Sequence, residues 1–290
     1  MFYLVATILL NVVLSAIFKV FPKYKIDALQ AIVANYCVCV ITGSIFIGYI
    51  PFTVSNLHTV WFPWALLMGC GFISVFNLIA YSTKIDGITT TTVANKLSLV
   101  IPVIFSIVLY HELIGIWKII GLVLAIPAVY LTTRVKGNDN KAQNLFWPVV
   151  LFILSGLLDT LVKYVQFHFL SPVGDEQAIY TIYCFSVAGC VGILLVTALL
   201  LLKKITFHWR NIVAGICVGI PNYFSIYFLI RMLNSSFLQS SAAIPVVNIG
   251  ILVASSLTAI FFFREKVNTL RITGLVLSII AILLIAFGDK

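Results

Sequence analysis

Apolar runs of about twenty residues follow one another along almost the whole chain, and no other feature constrains its fold as much. Bilayer hydrocarbon is ~30 Å thick, so a crossing helix needs about 20 mainly apolar residues. Ten such runs can be cut from the 290 residues, which leaves little for a soluble domain. Only 9% of residues are charged and 62% are hydrophobic, with a mean hydropathy of +1.14, against roughly 25% charged in soluble domains. The runs are continuous Leu, Ile, Val and Phe rather than alternating apolar and polar, which argues against a membrane barrel. The expectation is an all-α polytopic membrane protein with ten transmembrane helices. The first run opens directly after Met1 without a basic leader segment and is long enough to stay as a helix. The six cysteines fall inside apolar runs without metal-ligand spacing, so they read as packing residues.

The chain also repeats itself. With an offset of 153, Asn95 falls on Asn248, Glu112 on Glu265, Lys118 on Arg271, and Gly121-Leu122-Val123-Leu124 on Gly274-Leu275-Val276-Leu277. At an offset of 144, Phe2, Tyr3 and Lys19 match Phe146, Trp147 and Lys163. The reading is two five-helix repeats, residues 1–136 and 145–290, joined by a hydrophilic linker at 137–144. An odd number of helices per half sends the second half into the membrane from the opposite side, so the repeats are inverted and corresponding connections should exchange charge.

They do. The connection after the first helix carries Lys19, Lys23 and Lys25, whereas its counterpart after the sixth carries Asp175 and Glu176. No Lys or Arg follows the second helix, whereas Lys203, Lys204 and Arg210 follow the seventh. The net charge of +9 is therefore a topology signal rather than a mark of nucleic-acid binding. By the positive-inside rule the odd-numbered connections lie in the cytoplasm and both termini outside.

With these residues in view, the chain resembles the EamA-type ten-helix transporters of the drug/metabolite transporter superfamily. The resemblance rests on Pro102, Glu112 and Gly121 around the fourth and fifth helices, with Glu265 and Gly274 repeating them in the second half. It departs from the family in having Ser255 where a second Pro is usual, with Pro245 earlier, and in lacking a Trp-Gly pair in the first helix. The resemblance implies alternating access by an inverted-repeat secondary transporter in a bacterial inner membrane. Such a protein commonly exports a small metabolite, amino acid or drug, often coupled to protons. Many relatives keep their termini in the cytoplasm, against the charge count here. No cofactor or metal is implied, and because one chain supplies both repeats a monomer suffices.

Ionisable groups inside apolar helices are the first candidates to bind substrate or ion, because each costs on the order of 2.5–3.5 kcal/mol to insert unless it meets water, protein or the interface. Asp159 and Lys163 stand four residues apart on one face of the sixth helix, and Lys96 lies well inside the fourth. Asp159 could exchange protons or meet a cation, and Lys96 an anion. Equally, Asp159 and Lys163 could form a structural pair and Lys96 could snorkel to the interface. Asn77, Asn95, Asn222, Tyr223 and Asn248 lie on helices that the resemblance places around the cavity. Interhelical hydrogen bonding is their structural alternative. Glu112 and Glu265 end their helices and read as anchors of the turn into the next one.

An intramembrane enzyme would need a nucleophile with its base, or clustered metal ligands. The four histidines are scattered at segment ends without an HExxH pattern, so the chain reads as a non-enzyme. A purely structural membrane protein would not by itself explain Asp159 and Lys96, and between a channel and a transporter the inverted repeat favours alternating access.

Overall fold

The computed structural model describes residues 2–110, 115–133, 146–170, 175–233, 240–265 and 268–287. Among the described residues the chain is helical without strands. Its helices are α1 (Phe2–Val20), α2 (Ala28–Ile47), the single-turn α3 (Val54–Leu57), α4 (Phe62–Ile85), α5 (Ile88–Leu97), α6 (Val100–Tyr110), α7 (Ile116–Thr133), α8 (Phe146–Phe169), α9 (Glu176–Leu201), α10 (Trp209–Leu233), α11 (Ser240–Phe261) and α12 (Thr269–Phe287). Among the described residues, six stretches are long and apolar enough to cross a membrane: Phe2–Tyr24, Ala28–Ile47, Phe62–Ile85, Ile88–Phe105, Glu176–Leu201 and Trp209–Leu229. Four shorter helices are also apolar, Ile116–Thr132, Phe146–Val162, Val246–Phe261 and Thr269–Ile285. The hydrophilic stretch 137–144 and Glu112 lie outside the described residues.

Helix starts follow local chemistry. Asp27 has an extended backbone and its carboxylate accepts the Gln30 N–H at 2.9 Å, capping α2. Gly48 ends the same helix at φ +84°, a conformation that costs glycine nothing.

The expected fourth helix is two helices, α5 and α6, divided at Ser98-Leu99. Pro102 has no N–H to offer the carbonyl of Ser98 one turn back. The Ile101 N–H takes it instead at 2.9 Å, a tighter bond than a helix interior uses. Gly156 of α8 leaves this turn room, because a Cβ there would stand 2.8 Å from the same carbonyl oxygen.

The chain forms two compact units, and each draws on both halves of the sequence. One comprises Met1–Lys19, Ile79–Leu157 and Ser225–Lys290. Within it, α7 packs along α12 through two glycines. A Cβ on Gly121 would meet the Ala281 carbonyl oxygen at 2.9 Å and the Ile285 nitrogen at 3.0 Å. One on Gly274 would meet the Thr132 nitrogen at 2.7 Å and the Ala128 carbonyl oxygen at 2.9 Å. The contacts are reciprocal, since the step of 153 residues that carries Gly121 to Gly274 also carries Ala128 to Ala281 and Thr132 to Ile285. In the same unit Met232, Val247 and Ile251 form a small core with Leu4, Ile8 and Leu229.

The other unit comprises Val20–Leu78 and Leu158–Phe224 and is built around α2 and α9. Here a Cβ on Gly43 would meet Ile182 at 2.9 Å and one on Gly192 would meet Val33 at 2.4 Å. A step of 149 residues relates both members of the two pairs. Tyr36 and Phe185, separated by the same step, face one another with ring centroids 5.9 Å apart. The core of this unit gathers Trp61, Ala65, Met68, Val165, Tyr180, Tyr183 and Cys184.

Candidate functional site

In the first unit, charged side chains meet one another at the turn between α4 and α5. The turn forms because Gly87 takes φ +92°, which a residue with a side chain rarely adopts. Before it, the Ser82 hydroxyl donates to Asp86 Oδ2 at 2.9 Å and the Asp86 N–H donates to the Ser82 carbonyl at 2.7 Å. Beyond it, the first N–H groups of α5 have no partner within the helix. Glu265, from the end of α11, supplies one: its Oε1 accepts the Ile88 N–H at 2.8 Å, and its Oε2 accepts the Thr89 hydroxyl at 3.4 Å. The carboxylate also meets the positive end of the α5 dipole. Gly87 is needed twice over, because a Cβ there would lie 2.7 Å from Glu265 Oε1.

Lys19 completes the arrangement. Its Nζ lies 3.0 Å from Glu265 Oε1 and donates to the Thr83 carbonyl at 3.4 Å, with the glutamate side chain 8% exposed and the lysine side chain 24%. Arg271 Nη2 donates to the Asp86 carbonyl at 3.3 Å. Burial raises the Asp86 carboxyl above its usual range, opposed by the Ser82 hydrogen bond and by the charges of Arg271 and Lys19. Glu265 thus ties α11 to the start of α5 and the end of α1 and does not merely anchor the turn into α12.

The sequence reading missed this cluster as a unit. Lys19 and Glu265 both recur in the repeat, as Lys163 and Glu112, but at offsets of 144 and 153, so no single register aligns them. In the sequence alone, Gly87 marks a turn and nothing more.

In the same unit, Asn95 is half-buried and donates to the Ser155 hydroxyl at 3.0 Å, joining α5 to α8. Lys96 is half-buried in the last turn of α5, and Asn248 is half-buried on α11.

The second unit holds the remaining candidates. Asp159 is exposed on α8. The backbone of Lys163 belongs to the same helix, and its side chain lies outside the described residues. Asn77 donates to the Ile73 carbonyl of its own helix at 2.8 Å. Asn222 is buried and donates to Asn35 Oδ1 of α2 at 3.1 Å, beside Cys39, whose thiol donates to the Gly219 carbonyl at 3.5 Å. Tyr223 is buried and packs its ring 6.1 Å from that of Phe46.

Comparisons with known proteins add the following. No family model matches the chain. An uncharacterised protein of Haemophilus influenzae is 27% identical over 295 residues, spanning 99% of this chain and 98% of that protein. A protein of known crystal structure is similar in fold, with a TM-score of 0.56 and 12% identity, over 96% of this chain and 95% of its own.

The Asn35–Asn222 bond is a helix-to-helix contact of the kind that contributes ~0.6–2 kcal/mol in membrane proteins. Asn222→Ala is expected to lower stability by about that amount in thermal melts of detergent-solubilised protein. Asn35→Ala should add little to it. Additive losses in the two single variants would show that the bond contributes nothing.

Proposed function

We propose that this chain is a secondary transporter of a small solute, built from ten membrane-spanning helices in two inverted repeats and working by alternating access. The reciprocal glycine contacts carry the reading. In each unit, two equivalent positions meet in register, α7 against α12 and α2 against α9, as expected of duplicated segments related by a local two-fold axis. The six apolar spans and four shorter apolar helices are consistent with ten crossings. The resemblance to the drug/metabolite transporters supports export of a metabolite, amino acid or drug-like solute across a bacterial inner membrane, with protons as the coupling ion.

Asp159 is the first candidate to carry solute or proton. It is exposed on α8, a mainly apolar helix that also carries Lys163, Gln166 and His168. Facing lipid, the carboxylate would cost on the order of 2.5–3.5 kcal/mol, so its face of α8 is better accounted for by contact with water or with a polar partner. Lys96, Asn95, Asn248, Asn77, Asn222, Tyr223 and Lys163 are further candidates. The engaged amides of Asn77, Asn95 and Asn222 rank them lowest.

The test is metabolite profiling of cells and medium from strains carrying the intact protein, Asp159→Asn at matched membrane level, or an empty vector. The expected result is a compound that accumulates in the medium with the intact protein and falls to the vector level with Asp159→Asn. Export by both versions would remove Asp159 from the mechanism, and identical profiles in all three strains would count against transport.

A further inference from the structure

The second unit brings two basic connections together at helix ends. One follows α1 and contains Lys23 and Lys25, and the other follows α9 and contains Lys203 and Lys204, with Arg210 just inside α10. A buried amide clasp holds them side by side. Asn211 Nδ2 donates to Gln30 Oε1 at 2.9 Å, Asn211 Oδ1 accepts the Asp27 N–H at 3.1 Å, and Gln30 Nε2 donates to the Thr206 carbonyl at 2.9 Å. Gln30 and Asn211 are 2% and 1% exposed, so the clasp is part of the packed interior while all five cations are exposed. The one acid on these connections, Asp27, has its carboxylate committed to the start of α2.

Two further observations point outward from this patch. Lys25 and Lys203 both adopt the left-handed backbone, each at φ 53°. This region is disfavoured for residues with a Cβ and is where helix ends ordinarily place glycine. Arg264 of the first unit does the same at φ 50°, and in each case the cation is favourably placed at a helix C-terminus with its side chain exposed. Tyr24, Phe207 and Trp209 are also exposed beside the cations. Aromatic rings of this kind settle at the level of lipid headgroups.

We infer that these paired connections form a docking surface for anionic phospholipid headgroups. Lipid fits better than a soluble polyanion because each connection joins two apolar spans, Phe2–Tyr24 to Ala28–Ile47 and Glu176–Leu201 to Trp209–Leu229. The cations are thereby fixed where hydrocarbon gives way to headgroups. Each Lys or Arg near an anionic bilayer surface strengthens binding by about fivefold, and salt weakens it.

The experiment uses the full chain in nanodiscs of phosphatidylcholine containing a minor fraction of phosphatidylglycerol, with native mass spectrometry reading the lipids retained. The intact protein should retain phosphatidylglycerol in excess of its bulk share. Lys25→Gln/Lys203→Gln/Lys204→Gln should reduce that excess at least about tenfold, whereas neutralising the same number of cations elsewhere, at Lys84, Lys118 and Arg264, should leave it. Lys25→Gly/Lys203→Gly guards against misfolding: it suits the backbone, so it should melt no lower than the intact protein yet lose the excess. Equal retention by site and control variants, or displacement of the lipid by glycerol phosphate in the bath at matched ionic strength, would overturn the inference. None of these readouts depends on transport.

Discussion

Glu265→Ala is expected to destabilise the folded protein by about 3–5 kcal/mol, the range for removing one partner of a buried ion pair. Two losses combine. The Lys19 ammonium is left with the Thr83 carbonyl at 3.4 Å and no counter-charge at 3.0 Å. The Ile88 N–H at the start of α5 loses its acceptor, and a buried orphan donor costs ~1–3 kcal/mol. Lys19 keeps some access to solvent, which places the effect toward the lower end of the range. Glu265→Gln separates the terms, because its amide oxygen can still accept from Ile88 while the ion pair is gone. Lys19→Met combined with Glu265→Gln should recover part of the loss, since no uncompensated charge remains. Thermal or denaturant melts of detergent-solubilised protein measure all three variants. A Glu265→Ala protein that melts with the intact one would show that the cluster does not hold these helices together.

What the sequence made legible, and what it did not, follows from the range of each interaction. The apolar runs made long helices such as α1, α2, α4, α9 and α10 legible, because a span is set by its own length and by the Lys, Gly or Pro at its ends. The division of the expected fourth helix was not legible, although Pro102 was in plain view. The break depends on where the freed Ser98 carbonyl finds a donor and on the approach of Gly156, and neither leaves a periodic trace. Asn222 stood out as a polar residue in an apolar run. Its partner Asn35, 187 residues away, did not, and without the partner a structural bond and a solute ligand look alike. The same holds for Glu265, which was visible as a helix end while its acceptor role toward Ile88 spans 177 residues. Local chemistry was readable, and pairings across the chain were readable only where the repeat preserved a common offset.

That offset yields a contrast between glycines that the sequence treats alike. Gly274→Ala should destabilise the protein by about 1–3 kcal/mol, because the new methyl would lie 2.7 Å from the Thr132 nitrogen and 2.9 Å from the Ala128 carbonyl oxygen. Backbone atoms of a neighbouring helix cannot rotate aside, so α7 and α12 must separate along their length. The better helix propensity of alanine returns at most ~1 kcal/mol. Gly121→Ala should cost a similar amount, since its Cβ meets the Ala281 carbonyl oxygen and the Ile285 nitrogen in the reciprocal arrangement, at 2.9 and 3.0 Å. Gly189 on α9 is the counter-case, with its nearest neighbours, Tyr36 Cβ and Cys37 Sγ, at 3.7 and 3.9 Å. Those are ordinary contacts, so Gly189→Ala should be neutral or raise stability by up to ~1 kcal/mol. Melting temperatures of the three variants in one detergent decide the matter. Losses at Gly121 and Gly274 that match, with none at Gly189, would mean that the two glycines are copies of one contact and that close backbone approach, rather than apolar character, holds this helix pair. Three equal shifts would refute it.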